Sequence, residues 1–177
     1  MRFGLLTIAA AAATLMTGCS EMVSLNGFVP DSLAAGNPAL PGVWADSDSL
    51  YVVKAKGLDY NIAVTPLDGK GATLTFNARL LRAGSAEILD MVPAGEDDPF
   101  RVSVHTPVRI WVDAKTLRFT FLDSPWLRER AQLQLAASPV EKRVLLTAPE
   151  EAVSRFLLLN GGDDRAYEGK LNELTRQ

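Results

Sequence analysis

Apolar and polar residues alternate with a period of two over most of the chain between residues 49 and 122. Apolar side chains take every second position in six runs, and Ser, Thr, Asn or charged residues take the positions between them. Such alternation is typical of β-strands that bury one face and leave the other against water. The pattern predicts strands at about 49–55, 58–65, 72–82, 85–92, 101–113 and 116–122.

Short turn signals separate these runs and indicate how the strands are connected. Lys56-Gly57, Asp68-Gly69 and Gly84-Ser85 stand where hairpins would reverse the chain. Strands joined in this way form an antiparallel up-and-down meander. Because six to eight strands must hide their edges, we expect a mainly β fold that closes into a small barrel.

The alternation also predicts which side chains point into the barrel. Most of them are large, and the interior of a small barrel is just wide enough for such side chains to fill. We therefore expect a dry, filled core without a ligand chamber. The inward candidates are Tyr60, Ile62, Val64, Leu74, Phe76, Leu80, Ile88, Val104, Ile110, Val112, Leu117, Phe119 and Phe121.

The remaining segments lack the strand pattern or show it weakly. Acidic residues in 93–100 predict a solvated loop, and Ser124-Pro125 is a start signal for a short helix to about residue 131. A weaker strand pair is expected at 132–136 and 143–147. The apolar face of 150–160 predicts a C-terminal helix that packs on the sheet or closes a barrel end. The last residues, 163–177, are polar with a weak helical period.

The beginning of the chain has the layout of a secretory signal. Arg2, an apolar segment and small residues precede Thr17-Gly18-Cys19, and the apolar part is shorter than the roughly 20 residues that span a bilayer. The ending resembles the lipobox of bacterial lipoproteins, whose signal is cut before a cysteine that is then acylated. Met16 stands where the commonest lipobox has Leu.

This resemblance implies a domain plan and a location. Residues 1–18 would be a signal peptide, 19–41 a lipidated N-terminus and tether with an ordered entry, and 42–177 a single domain. Cys19 would carry the membrane anchor. Ser20 rather than Asp follows Cys19, which by the sorting rule of enterobacterial lipoproteins implies the outer membrane, with the domain in the periplasm.

Composition narrows the chemistry further. Cys19 is the only cysteine, so its acylation would leave the domain without disulfides, thiol catalysis or thiolate metal sites. The chain after residue 18 holds 17 basic and 21 acidic residues, a net charge of −4. It has no basic run, so we expect no nucleic-acid partner.

Gly42-Val43-Trp44 precedes the first predicted strand and resembles the G-x-W signature of lipocalins. In lipocalins the Trp plugs the closed end of an eight-stranded barrel, so the resemblance implies a structural role for Trp44. It also implies a possible small apolar ligand. More broadly, residues 40–44, 104–106 and 122–127 resemble a group of uncharacterised bacterial lipoproteins, which brings no activity with it.

His105 is the only histidine and the first candidate for catalysis. It lies on the polar face of its predicted strand, near Ser103 and Arg109, and the chain has no G-x-S-x-G nucleophile motif. The acidic segments 46–48 and 96–98 lack calcium-loop spacing. We expect no catalytic residue, metal or cofactor, and a structural His105 whose change to Ala costs at most about 1 kcal/mol.

Trp111, Arg109 and His105 are the candidates for a surface contact, since Trp and Arg dominate binding hot spots. Three function classes follow. The first is a non-catalytic envelope lipoprotein that contacts other proteins or the cell wall. The second is a lipocalin-like carrier of a small apolar ligand. The third is a hydrolase that uses carboxylates or His105.

Overall fold

The computed structural model describes residues 22–95, 102–140, 143–167 and 169–177. The signal peptide, Cys19 and most of the predicted loop at 93–100 lie outside these ranges. The elements are β1 (Met22–Ser24), β2 (Ala34–Ala35), β3 (Gly42–Ala45), β4 (Ser49–Lys56), β5 (Asp59–Pro66), β6 (Leu74–Ala83), β7 (Ala86–Pro93), β8 (Thr106–Val112), β9 (Thr116–Phe121), α1 (Pro125–Gln134), β10 (Ala137–Val140), β11 (Arg143–Leu146), α2 (Glu150–Asn160) and β12 (Asn172–Arg176).

Eight antiparallel strands close into a barrel. Strands β3 to β9 follow one another as a meander, β12 lies between β9 and β3, and pairing of β6 with β7 completes the ring. The prediction of an antiparallel up-and-down barrel with a C-terminal helix is confirmed.

The last strand of the barrel was not predicted. The weak helical period over 163–177 indicated a helix, and this was wrong for the residues of β12. This strand pairs with β9 through Leu174 and Leu117 and with β3 through Arg176 and Trp44. Without β12, both β3 and β9 would expose a row of unpaired backbone groups. Leu174 is the single apolar residue of β12, so the strand period is invisible in the sequence.

The barrel interior contains eleven of the thirteen inward candidates, and the two exceptions have clear reasons. Ile88 points outward and Leu89 points inward. Both faces of β7 are buried, so the run of apolar residues in the sequence does not show which side chains face the interior. Val104 precedes the barrel part of its strand, since β8 begins at Thr106 rather than at 101.

A second core, which we call the outer core, lies against the outer face of β6 and β7. Leu81, Ala83 and Ile88 are covered there by α1, α2 and a three-stranded sheet of order β1-β11-β10. At the end of α2, a side chain on Gly161 would overlap Ile88, so glycine allows the close approach. The C-terminal helix therefore packs on the sheet, one of its two predicted positions.

Residues 22–41 belong to the folded body, so the prediction of a tether is wrong over this range. Met22, Phe28 and Leu40 are at most 1% exposed, and β1 pairs in parallel with β11. The proline and glycine residues that suggested a tether lie instead in a run of short strands and turns that a few buried side chains hold against the body. Neither described helix has the length and hydrophobicity that crossing a bilayer takes.

Candidate functional site

One end of the barrel is closed by the segment before β3. The Asn37 backbone N–H donates to the Tyr60 hydroxyl at 2.7 Å, and its amide Nδ2 donates to Glu87 at 2.7 Å. Tyr60 and Glu87 lie near the starts of β5 and β7. The segment therefore crosses the end at which β5 and β7 begin, which we call the closed end.

Trp44 fills the interior of the barrel and connects the first strand to the last. It is fully buried, and its indole N–H donates to the Leu40 carbonyl at 3.0 Å. The Arg176 guanidinium lies 4.1 Å from the Trp44 ring centroid and donates to the Pro41 carbonyl at 3.3 Å. This cation–π contact and these hydrogen bonds hold β12 on β3.

The opposite end, which we call the mouth, is lined by inward-facing side chains that remain partly exposed. Tyr51 donates its hydroxyl to Asp46 at 3.3 Å, and burial together with Asp46 raises the pKa of Tyr51 to about 12. The phenol is therefore neutral at physiological pH. The mouth residues are Tyr51, Leu74, Met91, Phe119 and Phe121.

Arg109 and Trp111 contact each other on the outer face of β8, as their spacing suggested, but Arg109 is buried. It is 6% exposed, lies 4.6 Å from the Trp111 ring centroid and 4.3 Å from the Tyr167 ring centroid, and pairs with Asp164 at 3.0 Å. Burial raises the pKa of Tyr167, whose hydroxyl donates to the Gly161 carbonyl. Arg109 thus supports Trp111 from beneath instead of forming a surface contact itself.

Two clefts meet on the outside of the barrel at Trp111 and Arg118. The larger, of about 490 Å³, extends along the β6–β7 turn to Arg82 and Glu87. The smaller, of about 330 Å³, extends towards Tyr167. Trp111 and Arg118 line both clefts, so an indole and an exposed guanidinium stand side by side at the centre of this outer surface.

His105 fastens the N-terminal segment to the barrel. Its Nδ1 lies 2.7 Å from Oδ1 of the buried Asp90, whose Oδ2 accepts from the Phe28 backbone N–H at 3.0 Å. The backbones of His105 and Ser24 exchange two hydrogen bonds of 2.8 Å each. The expected neighbours of His105 were Ser103 and Arg109, whereas its side-chain partner is Asp90 on the adjacent strand.

The described contacts of the His105 ring are with Asp90, and none of them joins a ring nitrogen to a hydroxyl or thiol. A triad requires a hydroxyl or thiol on the ring nitrogen that does not face the acid. In the described contacts, the Ser24 hydroxyl accepts from the Asn26 backbone N–H at 3.2 Å. The described residues also contain no group of three His, Cys, Asp or Glu side chains placed to hold a metal ion.

The predicted surface residues therefore separate into two places. Trp111 and Arg109 lie together near Tyr167, while His105 lies at the mouth end of β8 with Asp90, and Cys19 lies outside the described residues. Asp90 had a sequence signal, since it interrupts the apolar run 88–92. Tyr167 and Arg176 had no sequence signal, because their partners, Arg109 and Trp44, lie far away in the sequence.

Comparisons with protein-family models, with curated proteins and with solved structures find no match for this chain. The interpretation of the site therefore depends on its own geometry.

We predict that His105→Ala destabilises the fold by about 1–3 kcal/mol, more than the sequence suggested, because it leaves a buried Asp90 oxygen without its partner. Urea unfolding of the purified variant measures the change. Ser103→Ala is the matched control, since Ser103 is exposed on the same segment and should shift the free energy of unfolding by less than about 0.5 kcal/mol. Equal effects of the two substitutions would refute the structural role of the Asp90–His105 pair.

Proposed function

We propose that this protein is a non-catalytic lipoprotein of the bacterial envelope. An acylated Cys19 holds it on the outer membrane, and the barrel faces the periplasm, where its outer surface contacts other envelope proteins or the cell wall. The observation that carries this proposal is the packing of the barrel interior, whose inward side chains form one continuous cluster, together with the exposed pair Trp111 and Arg118 that lines two surface clefts.

The packed interior argues against a deep ligand chamber. Trp44 and Leu80 are fully buried and Leu174 is 1% exposed, and they belong to one continuous cluster of inward side chains. An eight-stranded barrel is just wide enough to be filled in this way. With the interior filled, the outer surface is the part of the barrel left for a partner.

The surface at Trp111 and Arg118 has the composition of a protein contact. Trp and Arg are the residues most enriched at interface hot spots. The buried Arg109 and the edge-on ring of Tyr167, 6.2 Å away centroid to centroid, hold Trp111 in one orientation. A partner therefore meets a preordered side chain and loses less conformational entropy on binding.

The sequence before the domain supports the membrane anchor. Thr17-Gly18-Cys19 resembles a lipobox, and Ser20 after it favours the outer membrane. One acyl chain holds a protein only marginally, whereas two or more chains, each contributing about 0.8 kcal/mol per buried CH₂, hold it firmly.

We predict that Cys19→Ala abolishes lipid attachment, because no other cysteine can take its place. Cells grown with radioactive palmitate should label the unaltered protein and not the variant, which should accumulate as an uncleaved precursor or be released in soluble form. Ser20→Ala is the control that should keep the label. Label that persists on Cys19→Ala would refute the anchor.

A second function, the carriage of a small apolar ligand, is favoured by the mouth. Its aromatic side chains are inward-facing yet partly exposed, with Tyr51 and Phe119 centroids 6.3 Å apart and Phe119 and Phe121 centroids 6.1 Å apart. Such a surface suits a ligand held at the rim of the barrel. In this alternative the barrel carries its ligand shallowly, above the packed core.

We predict that Phe76→Ala costs about 3–5 kcal/mol in urea unfolding, the cost of a cavity in a packed core. Phe76 is 5% exposed. Asn77→Ala, on the exposed face of the same strand, is the control and should change stability little. Native mass spectrometry of the unaltered protein should show the bare chain mass plus its acyl chains. A loss below about 1 kcal/mol, or a co-purified apolar ligand, would favour the carrier.

A further inference from the structure

The larger outer cleft exists because β8 extends beyond its pairing with β7. Strand β7 pairs with β8 as far as Glu87 and Ile110, whereas β8 stays paired with β9 to Val112. Beyond Ile110, the β6–β7 turn at Gly84 and Ser85 lines the facing side of the cleft. The edge of β8 that faces β7 is therefore open to the cleft over its last two residues.

The open edge presents one backbone donor and one backbone acceptor. The Asp113 N–H donates to the Thr116 carbonyl at 3.0 Å, which marks this pair as hydrogen-bonded. Pairs on antiparallel strands alternate between hydrogen-bonded and non-hydrogen-bonded. Val112, one residue earlier, therefore directs its N–H and C=O away from β9 and into the cleft that it lines. Within the described residues, no hydrogen bond satisfies these two groups, and a ligand with an adjacent N–H and C=O would satisfy both.

The charge that the cleft leaves for a ligand is positive. Arg82 pairs with Glu87 at 3.2 Å. Hydrogen bonds from Thr116, with a smaller effect of Arg118, lower the pKa of Asp113 to about 2, so this carboxylate stays charged and bound to its own turn. Arg118 is exposed and, within the described residues, makes no hydrogen bond or ion pair. Such a guanidinium suits a carboxylate, which it can bind through two parallel hydrogen bonds.

The indole of Trp111 stands beside this guanidinium, because Trp111 and Arg118 are directly opposite each other on β8 and β9. Its ring is partly exposed and lines the cleft. The negative face of an aromatic ring attracts the weakly positive C–H groups that cover one face of a sugar ring. An apolar protein side chain could stack there too, but the core of a protein interface is depleted in charged residues, whereas Arg82, Glu87 and Arg118 all line this cleft. The surroundings of Trp111 therefore favour a glycan over a protein.

From the open backbone of Val112, the ring of Trp111 and the cation of Arg118, we infer that the larger cleft binds a glycan of N-acetylated amino sugars that carries carboxylates, the chemistry of the bacterial cell wall. An acetamido group supplies the N–H and C=O that the Val112 backbone lacks, the sugar ring stacks on Trp111, and a carboxylate binds Arg118. The smaller cleft begins at the same two side chains, so the glycan can continue past them. This inference rests on the proposed envelope location and names the cell wall as the partner.

Two neutral hexasaccharides test the acetamido contact. Chitohexaose carries an acetamido group on each ring where cellohexaose carries a hydroxyl. We expect the acylated full-length protein in detergent to bind chitohexaose at least about tenfold more tightly in calorimetry, because one hydroxyl does not replace a separate donor and acceptor at the Val112 backbone. Equal affinities for the two hexasaccharides would overturn the site.

Substitution of the indole tests the stacking. Trp111→Ala should weaken chitohexaose binding at least about tenfold. Trp126→Ala is the matched control and should bind like the unaltered protein, because Trp126 lies outside the cleft under Arg130, 3.5 Å from its ring centroid. Since Trp111 also covers Arg109, Trp111→Phe is the second variant: it keeps a ring and should bind within about fivefold of the unaltered protein. Unchanged binding by Trp111→Ala, or a Phe variant that is folded in urea titration yet as weak as the Ala variant, would overturn the stacking.

Purified cell-wall sacculi, boiled in detergent and digested with trypsin to remove attached proteins, test the charge. We expect Arg118→Gln to weaken binding to sacculi about tenfold, as the loss of a charge-assisted pair does, and to leave binding of the uncharged chitohexaose unaltered. Arg79→Gln is the matched control, since Arg79 is ion-paired with Asp31 and Asp59 on the outer face of β6. Equal losses in the two variants, or binding only to sacculi that keep their proteins, would overturn the inference.

Sacculi stripped of their peptides by an amidase show which carboxylate Arg118 binds. The loss caused by Arg118→Gln persists on stripped sacculi if the carboxylate belongs to the sugar and disappears if it belongs to the peptide. Mass spectrometry of the same protein sample separates this inference from the proposed function. If Cys19 is acylated and the folded protein binds neither chitohexaose nor sacculi, the glycan site is wrong and the membrane anchor stands. If Cys19 carries no acyl chain and binding is intact, the anchor is wrong and the glycan site stands.

Discussion

The structure depends on the contact that joins the first strand of the barrel to the last. Strand β12 closes the barrel by pairing with β9 and β3, and Arg176 strengthens the join to β3 because it lies on the ring of Trp44 while its guanidinium donates to the Pro41 carbonyl. Without this closure, β3 and β9 would be open edges of a twisted sheet, and the interior cluster around Trp44 would be open to water. A residue in the first barrel strand and one in the last thus fix the whole ring.

Closure also explains why the two cores stay separate. Once the barrel is shut, the inward residues of β6 and β7, such as Leu80 and Leu89, form the interior, and their outward neighbours, Leu81 and Ile88, need another cover. The helices and the small sheet supply it, and the Asp90–His105 pair fastens the N-terminal segment over them. Both faces of β6 and β7 are buried in a core. The surface available for function is therefore the outer face around Trp111 and the two ends of the barrel.

Sequence reasoning predicted the strands whose period is long and regular and missed those whose partners lie far away. Residues 58–65 and 72–82 alternate cleanly, and β5 and β6 formed there with small shifts. Strand β12 carries one apolar residue, and only the unpaired edges of β3 and β9 make it a strand. Distance in sequence also explains what was missed at the site. Arg109 and Trp111 are close in sequence, and their contact was predicted correctly. The burial of Arg109 under Tyr167 depends on a chain segment more than fifty residues later and was not predicted.

If the last strand is an integral part of the barrel, its amides must be as protected as those of the other strands, and amide hydrogen exchange at single-residue resolution measures that protection. We expect the central amides of β12 to exchange only through global unfolding, with protection within about tenfold of that in β5 and β6. Exchange of β12 that is orders of magnitude faster, while β5 and β6 remain protected, would show that the barrel stands without β12 and that β12 is not its closing strand.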